Sequence, residues 1–171
     1  DLLTSASIPE TTKTIFSDDQ VALLWENQHF PGVDSVLFLL YTGFRISEML
    51  DLRIENIDLK AQTMMGGTKT EAGKNRIVPI HSKIYSIVAD RYSKAKSGYL
   101  FEWKGRKLSD KEYRMYYWQP VMKAFKMNHN PHECRHSFRS WLDSAGANKV
   151  CIDRLMGHKS KGTGERVYTH K

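Results

Sequence analysis

This 171-residue chain has few cysteines, no long apolar run and no surplus of acid. Its longest apolar stretch, Val36 to Tyr41, is far shorter than the ~18 residues of a membrane span. That stretch reads as a core helix segment, and no membrane span is expected. The only cysteines are Cys134 and Cys151, with no CxxC pair. A disulfide framework is thereby excluded, and a reducing cytoplasm is expected. Asp1-Leu2-Leu3-Thr4 lacks the basic region of a signal peptide. No cluster of carboxylates accompanies the histidines, and His132, Cys134 and His136 alternate in a way that suits a strand. No metal site is therefore expected.

Positive charge is in surplus. Twenty-six Lys and Arg against 19 Asp and Glu give a formal net charge of +7. That balance favours a polyanionic partner such as nucleic acid. The length suits one domain with a real core.

Residues 1–14 carry Thr, Ser and Pro9 and read as a linker from a missing N-terminal DNA-binding domain. Residues 15–171 read as the working domain. Ser17 and Gln20 form a capping box with Phe16 and Val21 as its staple, so a helix is predicted through Trp25. After Pro31-Gly32, Val33, Val36, Leu37 and Leu40 predict a second helix. A short third helix opens at Arg45. Ile57–Leu59, Thr63–Met65 and Arg76–Ile80 predict a small three-stranded antiparallel sheet with a tight hairpin presenting Lys69. Ile84, Ile87, Val88 and Tyr92 mark a helix after Ser82. Ser109 and Glu112 start another, which should break or kink at Pro120. Arg135–Asp143 and Val150–Met156 complete a mainly α fold.

The groups suited to chemistry are fixed cations, imidazoles and one late tyrosine. Arg45 is either a surface arginine paired with Glu48 or a fork that grips two phosphate oxygens. His132 and Arg135 lie three apart and share a face if a helix starts near Pro131. Such a start can address an anion. His136 is the blander neighbour. His158 follows Gly157 and either satisfies helix carbonyls or donates to a phosphoryl oxygen. Tyr168, with an ordinary pKa near ~10, needs help to attack.

Five patches in order, Tyr41–Leu50, Thr68-Lys69-Thr70, His132–Phe138, Leu155–Ser160 and Tyr168-Thr169-His170, resemble the catalytic domain of the tyrosine recombinase (phage integrase) family. The likeness runs from about Ile15 to the end and is greatest to integrases of bacterial phages or conjugative transposons. The resemblance implies the tyrosine recombinase catalytic-domain fold. It implies that Arg45, Lys69, His132, Arg135 and His158 are catalytic, that Glu48 supports the site, and that Tyr168 is the nucleophile. It implies integration or excision of a mobile element through a 3′-phosphotyrosine, without metal or cofactor. It also implies a homotetramer on synapsed DNA, with an excisionase or host bending factor as further partners, in the nucleoid of a bacterial host. Rival readings are a type IB topoisomerase, a metal-dependent nuclease and a DNA-binding module that does not cleave. Arg53, Lys74, Arg76, Lys104, Arg106, Lys107, Arg114 and Arg139 are candidate DNA contacts, each equally readable as a solvated surface charge.

Overall fold

Helix α2, Val33–Thr42, is the axis of the domain: Val33, Val36, Leu37, Phe38, Leu39 and Leu40 are all fully buried. A helix apolar all round must be covered on every side. Here α1 (Asp18–Glu26), α4 (Tyr85–Lys94) and α7 (His132–Ser144) provide the cover. The computed structural model describes residues 14–67 and 71–159. Among these, no helix is long and apolar enough to cross a membrane.

Helix α1 starts as its sequence predicts. Ser17 accepts from the Gln20 N–H at 3.2 Å, and the Gln20 side chain accepts from the Ser17 N–H at 3.0 Å. The Phe16 N–H donates to Ser137 Oγ at 2.9 Å, which ties the entry of the chain to α7.

Strands β1 (Ile57–Asp58), β2 (Thr63–Gly66) and β3 (Arg76–Pro79) form the expected antiparallel sheet, in the order β1-β2-β3. Met64 pairs with Val78, both buried, while Met65 and Ile77 share the exposed face. Gly66 pairs with Arg76, so the connection spans residues 67–75 and is longer than the tight turn anticipated. The Asn75 N–H donates to the Gly67 carbonyl at 3.2 Å and closes its base.

Two features differ from the sequence-based expectation. The segment around Pro120 does not break. Helix α5 (Asp110–Tyr113) runs through a π-turn at Arg114–Trp118 into α6 (Gln119–Ala124). Proline has no N–H for the preceding turn, and widening that turn to π geometry removes the need for one. The second feature is an unanticipated hairpin, β4 (Glu102–Trp103) and β5 (Arg106–Lys107). Its turn residues Lys104 and Gly105 both have positive φ, 48° and 73°, as a two-residue type I′ turn requires.

Helix α7 begins three residues earlier than predicted, at His132, with Pro131 as its N-cap. Helix α8, Lys149–Met156, ends at Gly157 in the left-handed conformation. These last two helices and the α2–α3 junction, where α3 is Ile46–Leu50, surround the candidate site.

Candidate active site

The segment Thr42-Gly43-Phe44-Arg45 turns the chain sharply between α2 and α3. Thr42 Oγ1 donates to the Phe38 carbonyl at 2.8 Å and accepts from the Phe44 N–H at 3.2 Å. Gly43 adopts φ +67°, and a Cβ there would stand 2.4 Å from Phe138 Cδ1. Only glycine fits both the backbone and the space. Phe44 is fully buried, and Arg45 emerges as the N-cap of α3.

Glu48 lies one turn along α3 and is 2% exposed. Its Oε1 accepts from Arg45 Nη1 at 2.7 Å, and its Oε2 accepts from Arg76 Nη2. A buried carboxylate needs such pairing to remain charged. The pairing also fixes the direction of the Arg45 guanidinium.

Arg135 is 2% exposed, the largest side chain buried to that degree among the described residues. Its Nη1 donates to the Gly43 carbonyl at 2.6 Å, and its Nη2 donates to the Met156 carbonyl. One guanidinium therefore fastens α7 to both the α2 and α8 termini. Burial, then the neighbouring Arg45, pushes its pKa down to about 10, which still leaves it charged at neutral pH. The same Nη2 lies 3.1 Å from His158 Nε2.

His158 is placed by the end of α8. Its N–H donates to the Asp153 carbonyl at 2.8 Å, and Gly157 reverses the chain at φ +66°. A Cβ at Gly157 would stand 2.7 Å from Gly73 Cα. Burial first, then Arg135, Arg139 and Arg45, lowers the imidazole pKa. That shift favours the neutral ring over the imidazolium.

His132 is exposed at the start of α7 and lines a cavity with Arg45, Ser47, Asp110 and Arg114. Arg45, His132, Arg135 and His158 thus come from three chain regions to one place, and Glu48 lies beneath them. Lys69 and Tyr168 lie outside the described residues.

The candidate DNA contacts divide. Arg76 is corrected: it is 8% exposed, bonded to Glu48, to the Leu155 carbonyl at 2.9 Å and to the Gly73 carbonyl at 3.3 Å, with its guanidinium over the Phe44 ring. It is an internal strut joining β3, α3 and α8. Its acidic partner lies 28 positions away, too distant in sequence for the reading of strands to find. Arg53 pairs with Glu55 at 2.9 Å and lies over the Tyr99 ring. Lys107 pairs with Asp51 and approaches that ring as well. Lys104 lies over Trp103, Arg106 pairs with Glu112, and Lys74 is exposed. Arg114 lines the cavity beside Arg45 and His132, and Arg139 approaches His158.

One spacing was overlooked in reading the sequence. His132-Glu133-Cys134-Arg135-His136 has the HExxH pattern of helical zinc sites. On α7 the His132 and His136 rings meet edge to face, with centroids 4.8 Å apart. Glu133 is buried elsewhere, bonded to His129 at 3.2 Å and to the Asn130 N–H at 2.9 Å. The carboxylate that would act as base in such a site is thus engaged with His129 and Asn130. Among the described residues, no group of three His, Cys, Asp or Glu side chains is arranged to hold a metal.

Comparison with known proteins identifies the family. Residues 19–171 match the phage integrase family. Tyrosine recombinase XerA of Pyrococcus horikoshii is 31% identical over 98% of this chain and 60% of its own length. Tyrosine recombinase XerD of Mycobacterium tuberculosis is 32% identical over 79% of this chain and 46% of its own. The chain thus spans about 60% or less of these relatives. In fold it resembles the Tn1549 transposon integrase solved with circular intermediate DNA (TM-score 0.75, 22% identity, 90% of this chain and 60% of that one). It also resembles the XerA recombinase crystal structure (TM-score 0.73, 23% identity, 92% and 59%). With the family match covering nearly the whole chain and the same fold in these neighbours, the chain belongs to the phage integrase family.

Proposed function

We propose that this domain is the catalytic part of a site-specific DNA recombinase that cleaves and rejoins strands through a 3′-phosphotyrosine. The observation that carries this reading is the convergence of Arg45, Arg135 and His158, with Glu48 and the Gly43 and Met156 carbonyls holding the two arginines in place. Two fixed guanidiniums and an imidazole suit the non-bridging oxygens of a phosphodiester. They stabilise the charge that develops there without reorganising, and one such donor contributes on the order of 10²–10³ in rate.

In the proposed reaction the Tyr168 oxygen attacks phosphorus, and the bond to the 5′ oxygen breaks. His132 receives the phenol proton, directly or by relay, and Lys69 protonates the leaving 5′ oxygen. One phosphodiester replaces another, so rejoining needs no ATP and no cofactor. A Lys69→Ala variant should bind intact DNA and cleave it slowly; unchanged cleavage would remove Lys69 from this role. The substrate is double-stranded DNA at attachment or element-end sites. The working form is a homotetramer on two duplexes, aided by an excisionase or host bending factor, at the nucleoid of a bacterial host. The XerA and Tn1549 relatives support this reading, since the first is named a tyrosine recombinase and the second was solved with DNA.

The test uses a nicked DNA carrying the element end, incubated in EDTA with wild type and Tyr168→Phe. A covalent adduct on a denaturing gel, present only with wild type, supports the proposal. Loss of cleavage in EDTA would favour a metal nuclease. Binding without any adduct would favour a non-cleaving module. Relaxation of supercoiled DNA without strand exchange would favour the topoisomerase reading.

A further inference from the structure

His158 shares a cavity with Arg139, Lys149, Asp153 and Lys159, and Asp153 is the sole acid among those lining residues. Arg135 Nη2 is 3.1 Å from His158 Nε2. A guanidinium only donates, so Nε2 must accept, and the proton of the neutral ring belongs on Nδ1. Two groups face Nδ1. Arg139 Nη1, at 3.4 Å, also only donates and opposes a proton there. Asp153 Oδ1, at 4.0 Å, is too far for a hydrogen bond but within ion-pair reach. Asp153 is 7% exposed while the His158 side chain is 37% exposed, so water screens the pair from the imidazole side only. Its backbone carbonyl also holds the His158 N–H at 2.8 Å, which fixes the side chain's distance from the ring.

We propose that Asp153 is a positioning residue for His158, keeping a proton on Nδ1 so that Nε2 is the atom presented to the scissile phosphate. This rests on the recombinase reading above. To donate to a non-bridging oxygen, Nε2 must leave Arg135 and take up a proton from solvent while Nδ1 keeps its own. The ring then becomes an imidazolium, with phosphate on one side and Asp153 on the other. Arg135, Arg139 and Arg45 all disfavour that charge, and Asp153 favours it. Removing the carboxylate leaves His158 facing cations alone until DNA arrives.

The test compares wild type, Asp153→Asn, Asp153→Glu and His158→Trp, alone and with Asp153→Asn, in single-turnover cleavage of a nicked substrate across pH. The imidazolium is the active form, so cleavage declines as pH rises through its titration. Asp153→Asn should move that decline down by about one pH unit, as expected for loss of an opposite charge at this range, and Asp153→Glu should restore it. In the His158→Trp background Asp153→Asn should change nothing, since indole does not titrate. An unmoved decline in Asp153→Asn, or an equal effect in both backgrounds, overturns the proposal. Nitrogen-15 spectra of the DNA-free protein give a readout independent of cleavage. They should show His158 protonated at Nδ1 in wild type and redistributed in Asp153→Asn; an Nε2–H tautomer in wild type also overturns it. Absence of any covalent adduct from wild type would instead count against the recombinase reading, with the tautomer still deciding the role of Asp153.

Discussion

Arg45 Nη1 and Glu48 Oε1 lie 2.7 Å apart across one turn of α3, and the second oxygen of the same carboxylate holds Arg76. One buried anion therefore orients the cation that faces the site and the cation that braces it from behind. Glu48→Ala would leave Arg76 buried without its counter-charge. Breaking one partner of a buried pair costs about 3–5 kcal/mol, which chemical denaturation should read. Glu48→Gln keeps the shape, so it should lose less stability yet still slow cleavage by freeing Arg45. Equal stability in Glu48→Ala and wild type would contradict the clamp.

Arg76→Ala separates a strut from a DNA contact. A phosphate contact would lower DNA affinity and reduce the salt slope by about one unit while leaving the fold unaffected. The bonds of Arg76 to Glu48, Leu155 and Gly73 predict the opposite: a large loss of stability, measurable without DNA. Lys74→Ala, at an exposed position two residues earlier, should leave stability within about 0.5 kcal/mol.

Gly43→Ala should be more damaging than a helix-terminal glycine substitution usually is. The added Cβ meets the Phe138 ring at 2.4 Å and the backbone holds φ +67°. Either the ring or the turn must shift, and the Gly43 carbonyl that anchors Arg135 shifts with the turn. The expected result is destabilisation together with cleavage slowed by more than the stability loss explains. Pairing Gly43→Ala with Phe138→Ala should recover part of the stability by making room, while the positive-φ strain remains.

The DNA-free protein should lose stability on acidification through the histidine range. The His158 and His81 pKa values are both lowered by burial first, then by neighbouring cations. The folded state therefore holds fewer protons than the unfolded one near and below ~6.5, and stability falls as pH falls into that window. DNA should reverse the sign at His158, because a phosphate favours the imidazolium. Calorimetric titration with DNA in buffers of different ionisation enthalpy should register proton uptake at pH 7 in wild type and less in His158→Trp.

Much of this arrangement was legible in the sequence because it is local. The Ser17 and Gln20 capping box, the apolar run of α2 and the His132–Arg135 spacing each lie within a few residues. What escaped was set by distant partners. Arg76 looked like a surface cation because its acid lies on α3 and its carbonyls on α8 and the β2–β3 connection. Pro120 looked like a break because the π-turn that accommodates it leaves no mark of its own. The HExxH spacing shows the converse: a local pattern was present, and the burial of Glu133 against His129 decides how it is read. Asp153 had no local signal beyond its place five residues before His158.

The central claim is that Arg45, Arg135 and His158 form one cradle for the negative charge on the scissile phosphate. The most direct measurement replaces one non-bridging oxygen of that phosphate with a neutral methyl group and compares single-turnover cleavage by wild type, Arg45→Ala and Arg135→Ala. With the ordinary phosphate each variant should be slower by at least about 10². With the neutral phosphonate that deficit should shrink for both, because less charge remains to be stabilised. A deficit that stays undiminished in both variants would contradict the cradle and leave these arginines only a structural role.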